Sequence, residues 1–203
     1  MLAGDQILAI LARDVLAENP GATIIADIKS SRLFEQEILR LGGKPMLWKT
    51  GHSLIKAKMK EMKAPLAGEM SAHIFFADKF YGYDDALYAA IRFLNVMHST
   101  GMKASELLDS LPKMHSSPEY RLACPEERKF AIIEEIKTQL KVQNAAFSDI
   151  DGVRVNDENG WWLMRASNTG AEIVARCEGN SEDELKKQLE KLTALLSKYG
   201  IKI

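Results

Sequence analysis

Thr23-Ile24-Ile25-Ala26-Asp27-Ile28 is a short, mostly apolar run that follows directly on the breaker Asn19-Pro20-Gly21. Such a run suits a strand covered on both faces, the condition of an inner strand in a parallel sheet. Before it, Ile7, Leu11 and Val15 fall on one face of a helix that the breaker ends. After it, residues 31–41 read as a second helix, stopped at Gly42-Gly43, where a left-handed cap costs little. The order then repeats, with Lys44-Pro45-Met46-Leu47-Trp48 as a strand, residues 53–62 as a helix and Pro65-Leu66-Ala67 entering a third strand. Strand-helix alternation of this kind predicts parallel β-α-β units, and so a three-layer α/β domain with a mostly parallel sheet.

Beyond Phe75-Phe76, the turn residues Tyr81-Gly82-Tyr83-Asp84-Asp85 cap a helix on which Leu87, Ala90, Ile91, Leu94 and Met97 share a stripe. That closes a first domain over residues 1–98. Residues 99–117, richer in Ser, Lys, Met and Gly and carrying the breaker Pro112, read as a linker. Residues 118–203 form a second domain of different order. A strand at 119–124 precedes a helix from Pro125, which Glu126-Glu127 suit to the positive helix end. Asn156-Asp157-Glu158-Asn159-Gly160 supplies a hairpin turn between two further strands. Ile173, Ala175 and Cys177 alternate along another, and Ser181-Glu182-Asp183-Glu184 opens a last helix faced by Leu185, Leu189, Leu192 and Leu196. The second domain is therefore a smaller α+β unit, a sheet with packed helices.

A formal net charge of -1 over 203 residues gives no field for a nucleic-acid backbone. Any bound anion must be held by a local cluster of donors. The two cysteines, Cys124 and Cys177, fit neither a disulfide framework nor a metal spacing, and both read as reduced. With no apolar run near the length of a bilayer span and no leader-like segment, the expected location is cytoplasmic, with neither membrane nor nucleic acid as partner.

In open parallel sheets, ligands gather at the carboxyl ends of strands. Lys29 follows the first strand, Thr50-Gly51-His52 the second, and Gly68-Glu69-Met70-Ser71-Ala72-His73 lies beside the third. Together these supply a cation, two imidazoles, a carboxylate and a hydroxyl, a set able to hold sugar hydroxyls and a phosphate. Taken singly, each has a plainer reading: Lys29 as a solvated amine, His52 as a polar helix start, Glu69 as a partner for a nearby lysine. A second loop, Arg165-Ala166-Ser167-Asn168-Thr169-Gly170, joins a guanidinium fork to two hydroxyls and an amide, and suits either one phosphate or an ordinary turn. Arg176 on the next strand either adds charge to that loop or faces solvent.

At these loops the sequence resembles the α-D-phosphohexomutase family, and within it the phosphomannomutase/phosphoglucomutase branch. The resemblance rests on Lys29-Ser30-Ser31-Arg32, Trp48-Lys49-Thr50-Gly51-His52-Ser53, Gly68-Glu69-Met70-Ser71-Ala72-His73, Tyr81-Gly82-Tyr83-Asp84-Asp85 and Arg165-Ala166-Ser167-Asn168-Thr169, in family order across nearly the whole chain. It implies the third and fourth of four domains. By resemblance, Glu69, Ser71 and His73 bind the sugar, Lys29 and His52 assist catalysis near the reacting end, and Arg165, Ser167, Asn168 and Thr169 bind phosphate, with Arg176 a weaker addition.

The implied reaction interconverts the 1-phosphate and 6-phosphate of mannose or glucose through a hexose 1,6-bisphosphate, with Mg2+ in the full enzyme. The sequence contains neither a Ser-His-Asn-Pro type phosphoserine segment nor an Asp-Gly-Asp-Gly-Asp type metal loop, so the expectation is a part inactive by itself and dependent on the missing domains 1 and 2. The alternative is a non-catalytic phosphosugar-binding or regulatory module. Two departures stand out. Ala72 replaces a customary glycine, which matters if that position needs φ > 0, and Gly170-Ala171-Glu172 replaces a proline-containing continuation.

Overall fold

A computed structural model describes residues 2–203, which form two compact units, one ending at Lys113 and one beginning at Met114. The first runs α1 (Gly4–Glu18), β1 (Thr23–Asp27), α2 (Arg32–Arg40), β2 (Lys44–Trp48), α3 (His52–Met62), β3 (Leu66–Gly68), β4 (Ile74–Phe76), α4 (Ala86–Thr100) and α5 (Ala104–Asp109). Its sheet has the order β2-β1-β3-β4, with β1 parallel to β2 and β3, and β4 antiparallel at the edge. The alternation of β1 sorts the layers. Ile24 and Ala26 pack with Leu8, Leu11 and Val15 of α1 and Phe34 and Ile38 of α2, while Ile25 packs with Ile55 and Met59 of α3. A three-layer α/β unit results.

The stripe on α4 lies opposite to where an apolar periodicity normally points. Leu87, Ile91 and Leu94 are 73, 49 and 61% exposed, whereas Tyr88, Ala89, Phe93 and the buried Arg92 and Val96 face the unit. Arg92 occupies that inner face because Asp14 and Asp78 neutralise it at 2.7 and 3.0 Å and the Phe76 ring lies 4.7 Å beneath it.

The 99–117 stretch is not a bare linker. It contains α5, whose Leu107 is fully buried and whose C-terminal neighbour Ser110 accepts a 2.9 Å bond from Arg13 of α1. It also contains the first strand of the second unit.

That unit runs β5 (His115–Ser116), β6 (Tyr120–Ala123), α6 (Glu126–Val142), β7 (Val153–Asp157), β8 (Gly160–Ala166), β9 (Glu172–Gly179) and α7 (Glu182–Ser197). The sheet is antiparallel in the order β5-β9-β8-β7, with β6 also on β9. Trp162, Met164, Ile173, Ala175 and Cys177 form one face, packed on Ile132, Ile133 and Ile136 of α6 and Leu192 and Leu196 of α7. Pro125 caps α6 rather than opening it, and Ser181 caps α7 by accepting from the Glu184 N–H. The hairpin strands run into the expected turn, whose Asp157 accepts from the N–H groups of Asn159 and Gly160. No helix among the described residues is long and apolar enough to cross a membrane.

Chemical denaturation checks the reversed face of α4. Leu87→Ser is expected to change stability by no more than about 0.5 kcal/mol, the usual limit for an exposed site. Phe76→Ala, which empties a fully packed position, is expected to cost about 3–5 kcal/mol.

Candidate functional site

Because β1, β2 and β3 are parallel, their carboxyl ends open on one edge of the sheet, and the first group of candidate residues lies there. The turn after β1 is closed by the Ser30 N–H on the Asp27 carbonyl and by the Ser30 hydroxyl on Asp27 Oδ1 at 2.8 Å. It carries Lys29, only 5% exposed, with Nζ 3.7 Å from Asp27 Oδ2. Burial rules out the solvated-amine reading of Lys29. Ser31 caps α2 and donates its own N–H to Asp5 Oδ2 at 2.8 Å, which ties the turn to the start of α1.

Two further loops meet this turn. Glu69, 4% exposed, accepts the Gly51 N–H on Oε1 at 2.7 Å, so it holds the loop ahead of α3 instead of pairing a surface lysine. The Met70 N–H donates to Asp27 Oδ1 at 3.2 Å. The 69–73 loop closes on itself through Glu69 N–H to His73 O and Ala72 N–H to Glu69 O, both 2.9 Å. His73 is exposed, with Nδ1 2.6 Å from Asp84 Oδ2, and Ser71 is exposed beside it. His52 opens α3, also exposed, with only a long 3.4 Å contact to Ser53. Lys29 and Glu69 are thus built in, while His52, Ser71 and His73 present their side chains outward.

Backbone geometry explains two residues on this edge. Ala72 has φ 69°, so the position does demand the left-handed conformation that glycine adopts freely. At Gly4 a Cβ would stand 2.5 Å from both Ala72 N and Glu69 O, so only glycine lets α1 approach the loop. Asp27, fully buried, has its pKa raised to about 6 by burial, against the opposing charge of Lys29 and the bonds from Ser30 and Met70.

The second candidate loop is built locally. Arg165, at the end of β8, is 5% exposed; its Nε donates to Asp151 Oδ2 at 2.9 Å, and its Nη2 is buried with no hydrogen-bond acceptor among the described residues. The buried Ser167 hydroxyl accepts the N–H groups of Thr169 and Gly170 at 3.3 and 3.2 Å, and Asn168 and Thr169 are exposed at the tip. The Glu172 carbonyl receives the Ser167 N–H, and the Glu172 N–H reaches Gly170 O, so Gly170-Ala171-Glu172 closes the loop without proline. Beneath it, Lys129 of α6 donates to the carbonyls of Ser167 and Gly170 at 2.8 and 2.9 Å. Arg176 is buried, on the same sheet face as Arg165 by register and 5.5 Å from the Trp161 ring.

Sequence reasoning missed Asp27, Lys129, Asp151 and Gly152. Gly152 has φ 81°, and a Cβ there would meet Arg165 Cβ at 2.6 Å, so the Asp151-Gly152 pair is what brings a carboxylate to Arg165. An Asp-Gly pair before a strand was the available signal for it; Lys129, one lysine on a charged helix, gave none. Among the described residues no group of three or more His, Cys, Asp or Glu is placed to hold a metal ion, so the magnesium implied by the resemblance finds no fitting ligand set in them.

The two units match known family models in sequence order. Residues 3–115 match the family model for phosphoglucomutase/phosphomannomutase, alpha/beta/alpha domain III, and residues 119–195 that for the C-terminal domain. The chain belongs to the phosphoglucomutase/phosphomannomutase family. It is 43% identical over 183 residues to a Pseudomonas aeruginosa phosphomannomutase/phosphoglucomutase, a match covering 90% of this chain and 40% of that protein. It is 40% identical over 194 residues to a Neisseria gonorrhoeae phosphoglucomutase, covering 95% and 42%. A solved Burkholderia thailandensis family structure superposes with a TM-score of 0.85 at 40% identity, over 96% of this chain and 41% of that one. The chain therefore spans about two fifths of the length of these relatives.

The strained Ala72 gives a direct test. Ala72→Gly is expected to stabilise the first unit by up to about 1 kcal/mol, the left-handed penalty less the added chain entropy. Gly4→Ala, in contrast, is expected to displace the amide resonances of residues 69–72, because backbone rather than a flexible side chain meets the new methyl group.

Proposed function

We propose that this chain is the sugar- and phosphate-recognition part of a phosphohexomutase that interconverts hexose 1-phosphate and hexose 6-phosphate, of mannose, glucose or both, in the cytoplasm. Arg165 carries the reading. A guanidinium fixed by Asp151 at one nitrogen, and buried at another that meets no hydrogen-bond acceptor, is expensive unless an anion completes it. A phosphate oxygen is the acceptor best matched to such a fork.

In this reading Ser167 adds a donor, since its two accepted N–H groups leave the hydroxyl proton for an anion, and Asn168 and Thr169 close over the phosphate. Arg176 contributes charge from the same sheet face. On the first unit, Glu69, Ser71 and His73 hold sugar hydroxyls. His73 is oriented for this by Asp84 and Glu69 by Gly51. Lys29 and His52 stabilise charge or assist proton transfer at the reacting end.

The phosphoserine, the magnesium ligands and hence the phosphoryl transfer belong to the remaining part of the full protein, domains 1 and 2. The chain alone binds hexose phosphate without turnover. Mixing it with domains 1 and 2 of the Pseudomonas aeruginosa relative is expected to restore mutase activity; a folded mixture with sugar-phosphate binding and no turnover would favour a regulatory module.

Titration with mannose 1-phosphate, followed by backbone amide NMR, tests the recognition reading directly. Shifts are expected at residues 69–73 and 165–169. Arg165→Ala should weaken binding by about 10- to 100-fold, the equivalent of about 1.5–3 kcal/mol for a charged hydrogen bond. Unchanged affinity in that variant would remove the phosphate assignment.

A further inference from the structure

We propose that Asp27 is a positioning residue for the sugar-recognition edge: one carboxylate joins the turn that carries Lys29 to the 69–73 loop, and its charge sets where both stand. This deepens the reading given under Proposed function and rests on it. Oδ1 accepts from the Ser30 hydroxyl at 2.8 Å and the Met70 N–H at 3.2 Å, while Oδ2 faces the Lys29 ammonium at 3.7 Å, beyond hydrogen-bond reach. Met70 lies between Glu69 and Ser71, both sugar-binding candidates. A shift of the carboxylate is therefore transmitted along the chain to both.

The charged groups facing Asp27 are Lys29 on its own turn and Glu69 on the loop. Asp5 of α1 is attached one step further away, at the Ser31 N–H, and the His73–Asp84 pair lies at the far end of the loop. Lys29 is the cation among them that favours ionised Asp27. An anionic phosphosugar that draws Lys29 toward itself weakens this support, so Asp27 becomes easier to protonate when ligand is bound. With a midpoint raised to about 6, the group is poised to respond near neutral pH. The sign for folding is opposite to that of an ordinary paired carboxylate. Because the folded pKa lies above the unfolded value of 3.8, the associated stability is complete below that value and lost as pH rises through about 6. Ionised Asp27 thus costs the fold at neutral pH while strengthening the bond to Met70.

The test uses the full chain. The Asp27 carboxyl carbon and the Met70 amide are followed by NMR from pH 4 to 8, without ligand and with mannose 1-phosphate. A shared midpoint is expected, absent from the Met70 amide in Asp27→Asn and retained in His73→Gln, and raised by ligand. Asp27→Asn is expected to melt higher at pH 7 yet bind mannose 1-phosphate about tenfold more weakly, as for the loss of one useful contact. A Met70 amide that does not follow Asp27, a midpoint indifferent to bound ligand, or unchanged affinity in Asp27→Asn would each overturn the proposal. If wild-type chain shows no shifts with mannose 1-phosphate at all, the functional reading fails instead, and the ligand-free titration still decides whether Asp27 holds the loop.

Discussion

Strand β1 is covered on both faces, and this constraint governs where the first unit can do chemistry. Ile24 and Ala26 are enclosed by α1 and α2, and Ile25 by α3, so between Thr23 and Asp27 at its two ends the strand has only apolar side chains. Asp27 begins a turn in which nearly every group has a partner: the Ile28 N–H on Trp48 O, the Ser30 hydroxyl on Asp27, the Ser31 N–H on Asp5. A sheet end that is buried must satisfy its own backbone. The groups recruited to do so, the Trp48 carbonyl of β2, the Asp5 carboxylate of α1 and the Met70 N–H of the 69–73 loop, are the ones that hold the turn carrying Lys29.

The second unit meets a different constraint with a different solution. Its antiparallel sheet has one apolar face against α6 and α7, and its strands alternate accordingly, with Trp162, Met164 and Ala166 inward. The other face carries Arg154, Arg165 and Arg176 with Trp161 and Glu178, and is buried although strongly polar. Arg154 lies 4.0 Å over the Trp161 ring, while Glu178 accepts the Trp161 indole N–H at 2.9 Å and the Ser116 hydroxyl at 2.7 Å. The 165–170 loop leaves that face as a local structure, wound on the Ser167 hydroxyl and fastened by Lys129. The edge of the first unit, by contrast, is assembled from four separate stretches of chain.

This difference explains what could be read from the sequence. Strand β1, the β-α-β order and the caps of α2, α4 and α7 were legible because each is a local pattern of apolar spacing and short polar side chains. The loops were legible because their residue types stand at strand ends. Strand β5 has two residues and no periodicity to detect, and α5 is a six-residue helix held largely by the single buried Leu107. On α4 periodicity pointed outward because the inner face contains an arginine, acceptable only once Asp14 and Asp78 have been brought from elsewhere. Asp27, Asp151 and Lys129 share that property. Each acts through partners 14 to 43 residues away in sequence, a relation that no window along the chain contains.

Asp27, Arg165 and Ala72 also show where this chain departs from what folding alone would select. A carboxylate whose burial raises its pKa, a guanidinium nitrogen enclosed without an acceptor and an alanine in the left-handed region each raise the free energy of the folded state. Natural sequences tolerate such features where binding needs them. All three lie on the two loops that the family resemblance marks or on the turn directly bonded to one of them. Elsewhere, buried charges such as Arg92 and Glu37 are neutralised at close range, Arg92 by Asp14 and Asp78, Glu37 by Arg13 and Arg40. Left-handed backbone also occurs at Lys63, Lys79 and Asn144, so the bearing of these three positions on recognition comes from their place on the loops and not from their cost alone.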